Sequence, residues 1–281
     1  MKFRPAKKAF QIKDLPATRG QEFWDFFKTR FALFLEMGGL LLLFGLPFLA
    51  SFLVKYYALL YPAAKSMAEA EYLSFYKTTR LLFSGVYSLC FFFLFLALGG
   101  IGRIIRQWIW GNGIYFWHDF GKGIKQNFKN YFLSWLCFSF FFVLEDFCSL
   151  TIENSLIAYA ISGVFLLLLP VLMMAMVETL VYSDSFFRLL RHSLSYLLKK
   201  PLATLLFFLF PCGVICLTLI DQIMIQFAVF SILFALILPF YLVGWSLYCF
   251  SLFDEFTNKE SYPSLYKKGL RYEYEKENKN D

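Results

Sequence analysis

Arg106–Phe132 reads RQWIWGNGIYFWHDFGKGIKQNFKNYF, with three tryptophans, four glycines and four basic residues between two long apolar runs. Such a mixture suits two settings. A soluble protein grips nucleic acid with it, and a membrane protein uses it as an elbow at the water–lipid boundary. The chain on either side decides between them. Of 281 residues, 59% are hydrophobic, 22% aromatic and 17% charged. A soluble domain carries about 25% charged residues, so this chain could not cover its surface with polar groups in water. The net charge of +7 forms no single stripe and no reader motif, which a nucleic-acid footprint requires. No nucleic-acid partner is expected, and the elbow reading stands.

A membrane-spanning helix needs about 20 apolar residues to cross a hydrocarbon core of about 30 Å. Six segments qualify: Phe31–Val54, Leu81–Gly102, Tyr131–Ile152, Leu156–Val181, Leu202–Ile220 and Ile223–Phe253. The third is the least apolar. The last two are separated only by Asp221 and Gln222 and read as an antiparallel hairpin. The first run is too long for a secretory h-region and follows thirty mostly polar residues, so it reads as a span that stays in the mature protein. The expected fold is all-α: an integral membrane bundle of six transmembrane helices with amphipathic cytoplasmic interfacial helices. Three regions follow, a cytoplasmic basic N-terminal segment (1–30), the six-helix transmembrane domain (31–253) and a cytoplasmic charged tail (254–281).

Orientation follows from lysine and arginine, which concentrate in cytoplasmic loops. Of the 27 such residues, 23 fall in the N-terminal segment, the loop 103–129, the loop 182–201 and the tail. The other side holds Lys55, Lys65, Lys77 and Arg80. Both termini are therefore expected in the cytoplasm, in a multi-pass plasma-membrane protein.

The opening stretch then connects the second and third spans. Trp108, Trp110 and Trp117 suit the headgroup layer. Gly111-Asn112-Gly113 ends a helix, because glycine and asparagine tolerate the left-handed cap conformation; an Asn-Gly hairpin turn is the alternative. Downstream, Phe120, Ile124 and Phe128 recur every four residues, with Lys122, Lys125 and Lys129 on the other face. This predicts a basic amphipathic helix lying on an anionic inner leaflet. The device recurs in SDSFFRLLRHSLSYLLKKPLATLL, where Phe186, Leu190, Leu194 and Leu197 oppose Arg188, Arg191, His192 and Lys199. A rougher copy, QEFWDFFKTRF, precedes the first span.

These two cytoplasmic segments resemble the signatures of the YesL-like membrane proteins of Gram-positive bacteria. That pattern is a basic-aromatic segment ending in glycine, an aromatic-lysine helix, and later a basic helix ending at a proline before the fifth span, here Pro201. The resemblance covers Leu81 to Phe253, and the long first outer loop, Lys55–Arg80, departs from it. It implies a bacterial membrane accessory protein, with a possible membrane-protein partner and a link to carbohydrate uptake, and it matches Asp146 to an acid near this point.

No Ser-His-Asp ordering, HExxH, Walker loop or CxxC is present. No enzyme activity, cofactor or metal is expected, and His118 and His192 read as wet interfacial side chains. The six cysteines read as small packing residues. Gly99, Gly100 and Gly102 read as close helix packing. Acids within the spans are the sharper signal, since ionised groups in lipid are expensive. Glu36 and Glu178 fall near the cytoplasmic ends and read as structural ion-pair acids with interfacial arginine or lysine. Glu145 and Asp146 fall in the outer half of the third span if it runs to Ile152, and are ordinary outer-loop carboxylates if the helix ends at Leu144; with Lys55 they form the candidate polar site. The expected function is a non-enzymatic accessory or scaffold partner of a membrane complex. The alternative is a small-solute or lipid transporter built on that acidic outer site.

Overall fold

The computed structural model describes residues 15–60, 66–152, 155–215 and 222–273; of these, the side chains of Ser155, Ala158 and 210–215 are not described. All regular secondary structure among the described residues is helical. Helix α1 is Arg19–Thr29, α2 is Phe31–Leu60, α3 is Glu69–Ile109 and α4 is Phe116–Thr151. They are followed by α5 (Ser155–Val181), α6 (Phe186–Lys199) and α7 (Pro201–Ile215). The last helix, α8, runs Ile223–Ser261. Five helices are long and apolar enough to cross a membrane: α2, α3, α4, α5 from Tyr159, and α8. The expected fifth span, Leu202–Ile220, begins as the 15-residue α7; its remainder, with Asp221 of the expected hairpin turn, lies outside the described residues.

Helix α3 is 41 residues long, about 60 Å at 1.5 Å per residue. That is twice a hydrocarbon core of about 30 Å. It extends past the expected span at both ends, which carries Lys77 and Arg80 into regular helix. Its end at the elbow is built by glycine. Gly111 has φ +67°, its N–H donates to the Trp108 carbonyl, and the Asn112 N–H donates to Gln107. This is the Schellman termination, which needs a left-handed residue just past the helix.

Helix α4 corrects the elbow expectation. It runs unbroken for 36 residues from Phe116, so Asp119–Lys129 is the first third of a spanning helix and not a separate helix lying flat. A sharp bend would need a proline, a π-bulge or an inserted group in the hydrogen-bond ladder, and no proline lies between Phe116 and Thr151. The reason is the glycine contact with α3. A Cβ on Gly123 would stand 2.8 Å from both the Gly99 carbonyl and the Arg103 Cβ, and one on Gly100 would meet the Phe120 ring at 2.3 Å. With no side chains between them, the two backbones stay in contact below the apolar spans. Lys122, Lys125 and Lys129 keep to the exposed face.

Helix α6 is separate, but its packed face is rotated from the expected one. Phe186, Leu189, Ser193, Tyr196 and Leu197 are buried, while Leu194 is exposed. A buried serine and tyrosine carry the stripe because polar partners wait opposite them. Arg188 and Arg191 remain exposed.

The core sits among α2, α3 and α8. The Phe48 ring of α2 meets Tyr87 of α3 at 5.1 Å and Phe230 of α8 at 5.3 Å. In α8 a π-turn at Leu233–Ile237 brings the Ala235 carbonyl against α2. A Cβ on Gly38 would fall 2.0 Å from that oxygen. Helix α1 packs on the end of α3 and along α8, with Phe26 on Trp108 at 4.7 Å, Phe23 on Phe240 at 5.2 Å and Arg19 on Asp254.

The first and last described segments meet. Arg271 donates its backbone N–H to the Pro16 carbonyl, and its guanidinium to the Leu15 carbonyl. Gly269, at φ +82°, lies where a Cβ would strike the Ile109 carbonyl at 1.8 Å. The N-terminal segment, the elbow and the C-terminal segment therefore share one end of the bundle, called here the basic face. Trp110 is held there between cations, with Arg106 at 4.8 Å and Lys268 at 4.6 Å from its ring. Trp108 packs inward, and of the three elbow tryptophans Trp117 alone is largely exposed.

Candidate functional site

Two polar constellations occupy opposite ends of the bundle. At the end away from the basic face, α4 turns Asp146 onto α3. The Arg80 Nε donates to Asp146 Oδ1 at 2.7 Å, and the Ser84 hydroxyl donates to the other carboxylate oxygen. Asp146 is 13% exposed and Arg80 is 33% exposed. The pair is sheltered while the guanidinium still reaches water, which lowers the cost of placing charge there. Lys55 of α2 is half-buried beside them, its ammonium 5.4 Å from the centre of the Tyr87 ring, and it feels the charges of both Asp146 and Arg80. Glu145 faces elsewhere and accepts from Ser162 of α5 at 2.8 Å.

The candidate polar site is thus divided. Asp146 and Lys55 belong to one cluster and Glu145 to another. Arg80, which sequence reading assigns to a loop, is the principal partner of Asp146. The signal was present in the spacing: Arg80 and Ser84 are four apart, so a helix reaching back past Leu81 sets them on one face.

The basic face carries a larger network that sequence reading did not find. Arg19 of α1 donates to Glu22 at 2.9 Å and to Asp254 of α8 at 3.0 Å, and all three are nearly inaccessible. Asp254 also accepts from the Asn258 amide at 2.9 Å and from the Lys267 backbone N–H at 3.0 Å. Asn258 in turn accepts from the Tyr182 hydroxyl at 2.6 Å. A second π-turn, Asp254–Asn258, contains both α8 members; π-turns are frequent at functional sites. One guanidinium thus faces two buried carboxylates, of which Asp254 has further donors and Glu22 none among the described residues. Burial pushes the Glu22 carboxyl up to about 7; Arg19 opposes this and the Asp254 charge adds to it. The i, i+3 spacing of Arg19 and Glu22 was legible, but their partner is 235 residues away.

The remaining acids have local partners. Asp119 accepts from Arg103 at 3.3 Å, which ties the start of α4 to the end of α3. Glu178 is fully buried and accepts from the Ser193 hydroxyl at 3.1 Å. The nearest cation-forming group, His192 Nδ1, is 3.9 Å away, beyond hydrogen-bond reach. The expected arginine or lysine partner of Glu178 is absent among the described residues, because α6 presents its serine stripe to α5. Glu36 is exposed and has no ion pair among the described residues, since it points away from the face of α2 that packs on α8. His118 is exposed and outside both constellations.

No group of three or more metal-ligating side chains occurs among the described residues. The four described cysteines, Cys90, Cys137, Cys148 and Cys249, are free thiols; the side chains of Cys212 and Cys216 lie outside those described. No protein-family model, curated protein or solved structure matches the chain.

Proposed function

We propose that this chain is a non-enzymatic plasma-membrane protein with six crossings and both termini cytoplasmic, serving as an accessory or scaffold partner of a membrane complex. The observation that carries the functional reading is that the acids packed between the helices are engaged inside the bundle. Asp146 is held by Arg80 and Ser84, Asp119 by Arg103 and Glu178 by Ser193. Transport of a polar solute needs polar groups turned to an open path near the midplane. Here the ion-paired acids lie toward the two ends, and between them the rings of Phe48, Phe91, Phe138 and Phe142 pack on one another. This argues for the scaffold over the transporter.

Parity supports the sixth crossing. Tyr182, just past α5, bonds Asn258 at the basic-face end of α8, and Thr204 near the start of α7 lies 2.8 Å from the Tyr248 hydroxyl of α8. Ile223 opens α8 at its opposite end. These contacts support a crossing that begins with α7. Fifteen residues of α7 account for about 22 Å of that crossing. The excess of lysine and arginine on the termini-bearing face supports its cytoplasmic placement. The YesL-like resemblance adds carbohydrate uptake as the setting.

Cross-linking in native bacterial membranes followed by purification tests the scaffold reading. A membrane-protein partner in fixed ratio is expected. Uptake of labelled sugars by liposomes containing this chain alone would overturn it.

A further inference from the structure

Helix α7 packs on α8 through Thr204 and Phe207, and a groove opens between these two helices and α1. A cavity of about 480 Å³ is lined by Phe23 and Trp24 of α1, Ala203, Leu206 and Phe207 of α7, and Gly244 of α8. Its walls are apolar, and its size lies in the range of about 300–1,000 Å³ typical of ligand sites. Gly244 forms its floor: a Cβ there would already stand 3.2 Å from the Phe207 ring and 3.4 Å from Phe23. The groove is bounded on one side by the Phe207–Tyr248 stack, 5.3 Å between centroids and 9° apart. Since α7 starts at the basic face and Ala203–Phe207 form its first two turns, the groove lies in the leaflet on that side.

Two further cavities continue from it around Trp24, itself 63% exposed. One of about 630 Å³ reaches Arg19, Tyr248 and Ser251. Arg19 is nearly inaccessible, and its Nε–H has no hydrogen-bond partner among the described residues. The other, of about 390 Å³, is lined by Gln21, Asp25, Lys28 and Arg271. Across a single tryptophan the surface passes from purely apolar to polar, with two cations against one carboxylate. That sequence of surfaces complements an amphiphile with an anionic head.

We propose that the α1–α7–α8 groove holds one phospholipid of the leaflet on the basic face, an acyl chain lying between Phe23, Ala203 and Phe207 and its phosphate against Lys28 and Arg271. An apolar void open to hydrocarbon is filled by acyl chain more readily than by water, which needs polar partners. Each basic residue at an anionic surface adds about 1 kcal/mol. The lipid would fill the space between α1 and α7 beside the Phe207–Tyr248 stack, whichever complex the protein enters.

The test uses the full chain in nanodiscs of phosphatidylglycerol containing a trace of the same lipid with a diazirine in its acyl chain. Adducts are mapped by peptide mass spectrometry. They should concentrate on Phe23–Trp24 and Ala203–Phe207, above the level on Leu136 and Phe140 of the lipid-exposed face of α4. Ala203→Trp, which fills the groove from an exposed position, should lower the groove adducts about tenfold and leave the α4 adducts unchanged. Leu206→Trp should do the same and stands in if the first variant does not fold. In nanodiscs of phosphatidylcholine carrying the same phosphatidylglycerol probe, Lys28→Gln should lower the groove adducts about fivefold. Adducts spread evenly over all lipid-facing helices, or unaffected by both tryptophans, would overturn the site. Equal competition by phosphatidylcholine would overturn its headgroup half. Cross-linking of the groove to a protein in native membranes would give it a different occupant and also overturn the proposal.

Discussion

Replacing Asp146 by asparagine keeps the shape of the side chain and removes its charge. The new amide could still accept from Ser84 or Arg80, so the loss is the ion pair, with Arg80 left facing a neutral group and half-buried Lys55. Breaking a fully buried pair costs about 3–5 kcal/mol, and an exposed pair is worth about 0–1. Asp146 is nearly buried and Arg80 one-third exposed, so the guanidinium can turn partly toward water, and about 2 kcal/mol is expected. At about 2 °C per kcal/mol for a large domain, the detergent-solubilised variant should melt about 4 °C below wild type. Arg80→Gln separates the pair from the surroundings. If the two side chains act on one another, the double variant should be about 1–2 kcal/mol more stable than the sum of the single losses predicts. Thermal melts of the four proteins at neutral pH supply the cycle. An Asp146→Asn melting temperature equal to that of wild type, or strictly additive losses, would refute the pairing as a source of stability.

Glu22 makes stability depend on pH. Its folded value of about 7 lies above the ordinary 4.5, so the folded state holds the proton more tightly. The associated stability is complete below pH 4.5 and is lost as pH rises through 7, a change of about 3 kcal/mol. Melting temperature should therefore rise from pH 8 to pH 5, and Glu22→Gln should flatten most of that slope; an unchanged slope would exclude Glu22 as its source. Gly123→Ala should cost about 1–3 kcal/mol by overpacking α3 against α4, while Gly121→Ala, with nothing within 4 Å, should be neutral or stabilising by up to about 1 kcal/mol; equal melting temperatures for the two would remove the close contact. In a background without native cysteines, an impermeant thiol reagent should label Lys77→Cys in intact cells and Lys267→Cys only after permeabilisation; the opposite pattern would invert the proposed orientation.

Helical class and most of the spans were legible in the sequence, because lipid leaves a backbone no partner but itself and forces about 20 consecutive apolar residues per crossing. The end of α3 was legible too, since Gly111 supplies a local conformation that almost any other residue resists. What sequence could not supply was anything decided by a neighbour. Whether α4 bends at the elbow depended on Gly99 and Gly100 of another helix meeting Gly123, and a glycine carries no periodicity to announce its partner. The rotated face of α6 was hidden for a related reason: Ser193 and Tyr196 look polar until Glu178 and Thr257 stand opposite them. The acids followed the same division. Asp146 could be singled out by its cost in lipid, but the choice of Arg80 over Lys55 came from the extra turns of α3 and the packing of α4 on it. Arg19, Glu22 and Asp254 form one buried cluster only because α1 packs against the last turns of α8. Hydrophobic length is a property of a segment alone, whereas charge pairing and close packing are properties of two surfaces, and only the tertiary structure brings those surfaces together.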